Sequence, residues 1–298
     1  MTRRKGEAGK GKGEGRRKGE RKKTRQSAGN KSDARVWTPR KRFGQHFLEP
    51  AWVTKVVEAI NPTRDQTFLE IGPGRGALTR PLAQRAGRVI AVEIDRDLAR
   101  SLAHENIPNV RVIESDFLDV DVGRALEHEQ RPLRVAGNVP YSISSPILFT
   151  LLANAREGRF FSDATLMLQK EVADRVAAGP GRKQYGTLAI QTALTADVEH
   201  LLTLPPGAFR PAPRVTSAVI RLRFRPPAVD VGDSHVFERL VRGIFLQRRK
   251  TVANALRPVA AALGRTAGEL LDRAGVDGRL RPEALTLADI ARLARAVL

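Results

Sequence analysis

The sequence predicts an α/β protein built on an open parallel sheet and followed by a small helical domain, and three observations predict it. Thr67, Phe68, Leu69, Glu70 and Ile71 form a short apolar run ending in Gly72, Pro73, Gly74, Arg75 and Gly76, after which Leu78, Leu82 and Ala86 recur at helical spacing. Further short apolar strands stand at Val89 to Val92, Val110 to Ile113, Leu133 to Ala136 and Thr165 to Leu168, separated by helical or turn segments. From about Val229 the composition changes, and Phe237, Leu240, Val241, Ile244 and Phe245 trace an amphipathic helix.

The 298 residues are 41% hydrophobic, enough for a large domain plus a small one. Three segments are expected: a basic tail at 1–35, a cofactor-binding domain at 36–228 and a helical domain at 229–298. Lys and Arg number 52 against 32 Asp and Glu, a formal net charge of +20. Such an excess points to a polyanion as partner. The tail holds fourteen basic and four acidic residues, which is half of that charge. It is too poor in apolar side chains to order by itself and reads as a nucleic-acid arm; a solubilising tail is another reading, and a mitochondrial transit peptide is a third, against which its Gly content, Glu7, Glu14 and Glu20 and the missing apolar face speak. Cysteine is absent, which excludes disulfides and thiolate metal sites and fits a reducing compartment. No apolar run approaches the roughly 20 residues that span a bilayer, so a soluble, cytoplasmic protein is expected.

Order is expected from about Val36 and Trp37. Arg42, Phe43, Gly44, Gln45, His46, Phe47 and Leu48 place two aromatics around a glycine, and Val53, Val56, Val57 and Ile60 follow at helical spacing until Asn61 and Pro62 stop them. With no second ligand at metal spacing, His46 is not read as a metal ligand. The strand at Val89 ends at Glu93, seventeen residues past Gly76, where a carboxylate can accept both hydroxyls of a ribose. Glycines at 72, 74 and 76, a proline that removes one amide donor, and the charge of Glu70 suit a cationic cofactor without phosphate, S-adenosylmethionine, better than a dinucleotide. Asp116, after the third strand, can accept from an adenine amine or cap the following turn; both readings stand.

The fourth strand delivers Asn138, Val139, Pro140 and Tyr141 at its C-terminal end, where ligands bind in open parallel sheets. An amide, a stiffened backbone and an aromatic ring in consecutive positions can accept from a planar amine and stack the ring that carries it. The Asn138 side-chain oxygen and the carbonyl near Pro140 would accept hydrogen bonds from an attacking amine. Between Pro205 and Pro213 the prolines hold a loop extended, so that Phe209 either offers a second aromatic face to a base or packs beneath the loop. The run Gln247, Arg248, Arg249 and Lys250 is read as a phosphate-contacting surface, with Arg248, Arg249 and Lys250 as its cations.

Arg42 to Leu48, the Glu70 to Gly76 loop, Asn138 to Tyr141, Leu168 to Arg175, the Phe209 loop with Ser217, and Phe245 to Leu256 stand in an order that closely resembles the ribosomal RNA adenine N6,N6-dimethyltransferases of the small-subunit type over residues 36 to 298. The resemblance implies a class I methyltransferase fold, a Rossmann-like and mostly parallel seven-stranded sheet. It also implies S-adenosylmethionine held by His46, Leu48, Gly72, Gly74, Glu93, Asp116 and Asn138, and transfer assisted by Asn138, Pro140, Tyr141 and Phe209. The implied substrate is two adjacent adenines near the 3′ end of 16S rRNA, dimethylated by a monomer late in small-subunit assembly. His46 stands where that family more often has Asn, and Val139 where it more often has Leu. Two alternatives remain at this level. One is the Erm type of large-subunit methyltransferase, against which the Phe245 to Leu256 run speaks. The other is a non-catalytic RNA-binding factor, against which the intact Asn138, Tyr141 and glycine loop speak.

Overall fold

The computed structural model describes residues 46–158 and 160–297. The basic tail 1–35 and the expected onset of order near Val36 and Trp37 lie outside the described residues.

A two-residue strand β1 (Phe47–Leu48) and helix α1 (Pro50–Ile60) precede the sheet. Then β2 (Thr67–Ile71), α2 (Thr79–Arg85), β3 (Arg88–Glu93), α3 (Arg96–His104), β4 (Val110–Glu114) and the short α4 (Val122–Ala125) alternate strand and helix. β5 (Leu133–Asn138), α5 (Ser144–Gly158), β6 (Phe161–Gln169), α6 (Lys170–Val176) and α7 (Thr187–Thr195) follow. β7 (Ala196–Leu204), β8 (Phe209–Arg210) and β9 (Ser217–Phe224) complete the strands. The described chain closes with α8 (Ser234–Leu246), α9 (Val252–Ala261), α10 (Ala267–Ala274) and α11 (Leu287–Val297).

Seven strands form one sheet in the order β4, β3, β2, β5, β6, β9, β7. The first five are parallel, and β9 runs antiparallel to both of its neighbours. The mostly parallel seven-stranded sheet expected from the sequence is therefore present. Strand order reverses between β2 and β5, so a crevice opens beyond their C-terminal ends, the place where such sheets take ligands. β6 is longer than the Thr165 to Leu168 run, and β7 occupies a stretch in which the sequence shows only apolar residues near Leu201 to Leu204.

Side chains alternate across the sheet as the period of two requires. Leu69, Ile71, Ile90, Val92, Leu133 and Val135 pack on one face with Leu148 and Leu151 of α5. Phe68, Val89 and Ala136 pack on the other with Val56, Val57 and Ile60 of α1 and Leu82 of α2. A third core joins Ala189, Ile190 and Leu194 of α7 to the apolar faces of α8, α9, α10 and α11.

α1 stops at Asn61, which takes a left-handed φ of 52°. Its last carbonyls are met by a buried guanidinium: Arg134 donates from Nη2 to the Ile60 carbonyl at 2.9 Å and from Nη1 to the Asn61 carbonyl at 3.2 Å. The same group pairs with Asp163 at 2.7 Å, ties Gln66 Oε1 at 2.9 Å and lies over the Phe68 ring. One side chain thereby joins β5, β6 and the end of α1. Among the described residues, no helix is long and apolar enough to cross a membrane.

Candidate active site

The site is assembled where β2, β3, β4 and β5 end. Gly74 follows β2 with a φ of +57°, a conformation costly for any residue with a Cβ. A Cβ there would also lie 3.2 Å from the Phe47 ring, so the loop is packed tightly beneath β1. This backbone aims the Gly74 amide at Glu93, which accepts it on Oε2 at 2.9 Å and accepts the Asp95 amide on Oε1 at 2.8 Å. Burial raises the Glu93 carboxyl above its ordinary range, with the two amides opposing.

Glu70, on β2, is 1% exposed, and its Oε2 has no hydrogen-bond partner. Desolvation pushes its pKa up to about 7; Thr79 opposes that rise and the Glu93 charge adds to it. Asp116 accepts the Leu118 amide on Oδ1 at 2.9 Å and so caps a short turn, while also lining the cavity. Both readings of Asp116 are compatible with that placement, because one oxygen caps and the other is left to face a ligand.

Gly137 explains itself at the end of β5: a Cβ would stand 2.8 Å from the Ile71 carbonyl of the paired strand. The next residue, Asn138, donates from Nδ2 to the His46 carbonyl at 2.7 Å. With its nitrogen committed, Oδ1 is the side chain's remaining acceptor. The His46 ring donates from Nδ1 to the Pro211 carbonyl at 2.6 Å and stacks on Tyr141, with ring centroids 5.5 Å apart and planes 23° from parallel. The Tyr141 hydroxyl shares a 2.6 Å hydrogen bond with Ser217 Oγ; burial raises its phenol pKa, and Ser217 opposes that rise.

His46, Leu48, Gly72, Gly74, Glu93, Asp116, Asn138, Pro140 and Tyr141 all line one cavity. Phe209 does not join them. It is 1% exposed and packs in the core with Leu48, Met167 and Val219, because the pairing of β8 with β1 sets Phe209 opposite Leu48 and turns its ring inward. The expected second aromatic face is thus replaced, in this structure, by the packing alternative. Arg248, Arg249 and Lys250 stand after α8 and do not line the cavity. Arg248 is also partly committed, since its Nη2 donates to Glu283 at 2.7 Å and to the Lys183 carbonyl at 3.0 Å. Arg249 and Lys250 are exposed.

The cavity wall tests the cofactor. Glu70, Glu93 and Asp116 contribute three carboxyl groups, and no Lys or Arg lines it. A pyrophosphate would meet negative charge without a cation to offset it. A ligand with a sulfonium, an ammonium and a ribose fits, and the unpartnered Glu70 Oε2 is an acceptor of the kind an ammonium requires. Among the described residues, no group of His, Asp and Glu could hold a metal ion.

Residues 37–295 match the family model described as ribosomal RNA adenine dimethylase. The chain belongs to the ribosomal RNA adenine dimethylase family. A curated relative, ribosomal RNA small subunit methyltransferase A of Magnetococcus marinus, is 44% identical over 261 residues, covering 86% of this chain and 91% of its own. The protein of the same name from Nitrosococcus oceani is 44% identical over 260 residues, 86% and 95% of the two chains. Among solved structures, a dimethyladenosine transferase from Plasmodium falciparum superposes with a TM-score of 0.68 at 24% identity, over 83% of this chain and 96% of that one, which shows the fold. The 23S rRNA methyltransferase ErmE gives 0.59 at 28% identity, over 84% and 99%. The dimethylase is thus an S-adenosylmethionine-dependent rRNA adenine dimethyltransferase with a class I methyltransferase fold.

Sequence reasoning left three cavity or contact residues unassigned. In the sequence Glu70 shows only the charge it brings to the loop; its burial depends on β3 and β5 flanking β2. Ile94 is 43% exposed at the cavity, and its position directly after Glu93 was the signal for it. The Ser217 contact with Tyr141 spans 76 residues, so no local pattern carries it.

Glu70 yields a pH prediction. Its folded pKa of about 7 lies above the ordinary 4.5, so the folded state holds the proton more tightly. The resulting stabilisation is complete below pH 4.5 and is lost as pH rises towards 7. Relative to wild type, Glu70→Gln is expected to gain about 2 to 3 kcal/mol of unfolding free energy between pH 5 and pH 8. Urea unfolding of the cofactor-free proteins at both pH values checks this; a constant difference would contradict it.

Proposed function

We propose that the substrate is the RNA of the small ribosomal subunit, in which two adjacent adenines near the 3′ end of 16S rRNA are each dimethylated on N6 late in assembly, by a monomer in the cytoplasm. The observation that carries the chemistry is the Asn138 amide, whose nitrogen is bound by the His46 carbonyl so that its oxygen is the free acceptor beside Pro140 and Tyr141. Support for the small-subunit RNA comes from the relatives at 44% identity that carry that name, against 28% for the large-subunit enzyme.

S-adenosylmethionine supplies an electrophilic methyl group on a sulfonium. In this reading Glu93 accepts the ribose hydroxyls, Asp116 the adenine amine of the cofactor, and Glu70 its ammonium, while Ile94 covers an apolar face. The target amine is a weak nucleophile because its lone pair is delocalised into the ring. Asn138 Oδ1 and the Pro140 carbonyl accept hydrogen bonds from its N–H groups and stabilise the positive charge that develops as nitrogen becomes tetrahedral, and the methylated amine then loses one proton to solvent. Tyr141 stacks the flipped base, a contact worth about 1 to 3 kcal/mol. Positioning and charge stabilisation suffice, and no strong base is needed. Arg249 and Lys250 contact phosphates, and Arg248 braces their turn through Glu283.

The test supplies methyl-labelled S-adenosylmethionine together with unmethylated small-subunit particles and, separately, naked large-subunit RNA. Label is expected in the small-subunit RNA alone. Label confined to the large-subunit RNA would overturn the substrate, and label in neither would overturn the reading.

A further inference from the structure

We propose that His46 is a positioning residue that presets the Tyr141 ring before RNA arrives, clasping it to the proline loop that follows β8. The inference rests on the reading of Tyr141 as the face on which the target base stacks.

His46 touches three parts of the site by three different groups. Its backbone carbonyl receives Asn138 Nδ2 at 2.7 Å, its ring Nδ1 reaches the Pro211 carbonyl at 2.6 Å, and its ring lies on Tyr141. A carbonyl can only accept, so Nδ1 carries the hydrogen and the ring has one defined orientation. Pro211 is itself anchored, because Arg210 directly before it pairs with Phe47 in the β1 and β8 ladder. The ring of His46 is therefore fixed by a directional bond to an element already bonded to its own strand.

Tyr141 is then held at two points. His46 occupies one face of the ring, and Ser217, fully buried at the start of β9, holds the hydroxyl at 2.6 Å. A phenol fixed at its hydroxyl and on one face keeps its torsions and leaves the opposite face for a base. Phe209 lies in the core, so the partner of Tyr141 at this rim is His46. An aromatic platform that is already ordered adds no ordering cost when the base docks. The stack is a property of the side chain, whereas the bond to Asn138 is made by the backbone and survives any substitution at position 46. The side chain should therefore govern capture and turnover of RNA beyond whatever it adds to the cofactor cavity that it also lines. Asn at this position could keep a hydrogen bond to Pro211 but would lose the stack.

The chain holds only two tyrosines, Tyr141 and Tyr185, so ring-labelled tyrosine gives a two-residue NMR spectrum. In His46→Ala the Tyr141 signal is expected to move as the stacked ring is lost while the Tyr185 signal stays. An unchanged Tyr141 signal would overturn the clasp. With small-subunit particles and saturating cofactor, kcat/KM for RNA is expected to fall about tenfold in His46→Ala, in keeping with the cost of loosened positioning, and to fall by more than cofactor affinity does. His46→Phe, which restores a ring but not the Nδ1 bond to Pro211, should recover part of the loss, and His46→Asn, which keeps a donor but no ring, should recover less. A kinetic loss matched by an equal loss of cofactor affinity, or recovery in His46→Asn as good as in His46→Phe, would overturn the positioning role. If wild type methylates no RNA, the reading of Tyr141 fails, while the NMR arm still decides whether His46 holds the ring.

Discussion

Asn138→Ala is expected to keep S-adenosylmethionine binding within a few-fold of wild type and to lower kcat by about 10² to 10³, the range found when a preorganised group that meets developing charge is removed. The side chain loses both its acceptor for the target amine and its anchor to the His46 carbonyl, but the carboxylates of Glu70, Glu93 and Asp116 remain in the wall. Calorimetric titration with cofactor, beside single-turnover methylation, separates the two effects. Near-normal transfer by this variant would remove Asn138 from the role of amine acceptor.

Arg134→Ala is expected to cost about 3 to 5 kcal/mol of unfolding free energy, the usual result of breaking a buried ion pair on one side. Asp163, largely shielded from water, would be left without its cation, with Oδ1 already lacking a partner, and the Ile60 and Asn61 carbonyls would lose their donors. Arg134→Lys should recover only part of this, since an ammonium cannot reach Asp163, Gln66 and two carbonyls together as the planar fork does. Urea unfolding monitored by circular dichroism reads the loss, and a change under about 1 kcal/mol would show that the contacts are replaced by water.

What the sequence made legible follows the range over which the physics acts. The glycine loop, Glu93, Asp116 and Asn138 were readable because each lies at a strand end within one β-loop-α unit, and their spacing alone places them at the crevice. The two-residue strands β1 and β8 were not, since their pairing joins Leu48 to Phe209 across 161 residues and neither has a strand-length pattern. That one pairing decides the fate of Phe209: a proline-rich loop suggests exposure, while the ladder rotates the ring into the core. Arg248 is a parallel case. A run of cations reads as one surface, yet Glu283, 35 residues further on, draws Arg248 inward and leaves Arg249 and Lys250 exposed. The β7 edge strand has no legible alternation because two consecutive exposed residues, Glu199 and His200, interrupt it, and its register shifts between His200 and Leu202.

The chemistry and the substrate meet in one measurement: nucleoside mass spectrometry of small-subunit RNA after reaction with this protein and S-adenosylmethionine, with the modified positions mapped. N6,N6-dimethyladenosine at two adjacent adenines near the 3′ end is the expected result. Methyl groups on another atom or another base, or an RNA recovered unmodified, would contradict the account of Asn138 and Tyr141 as the holder of an adenine amine.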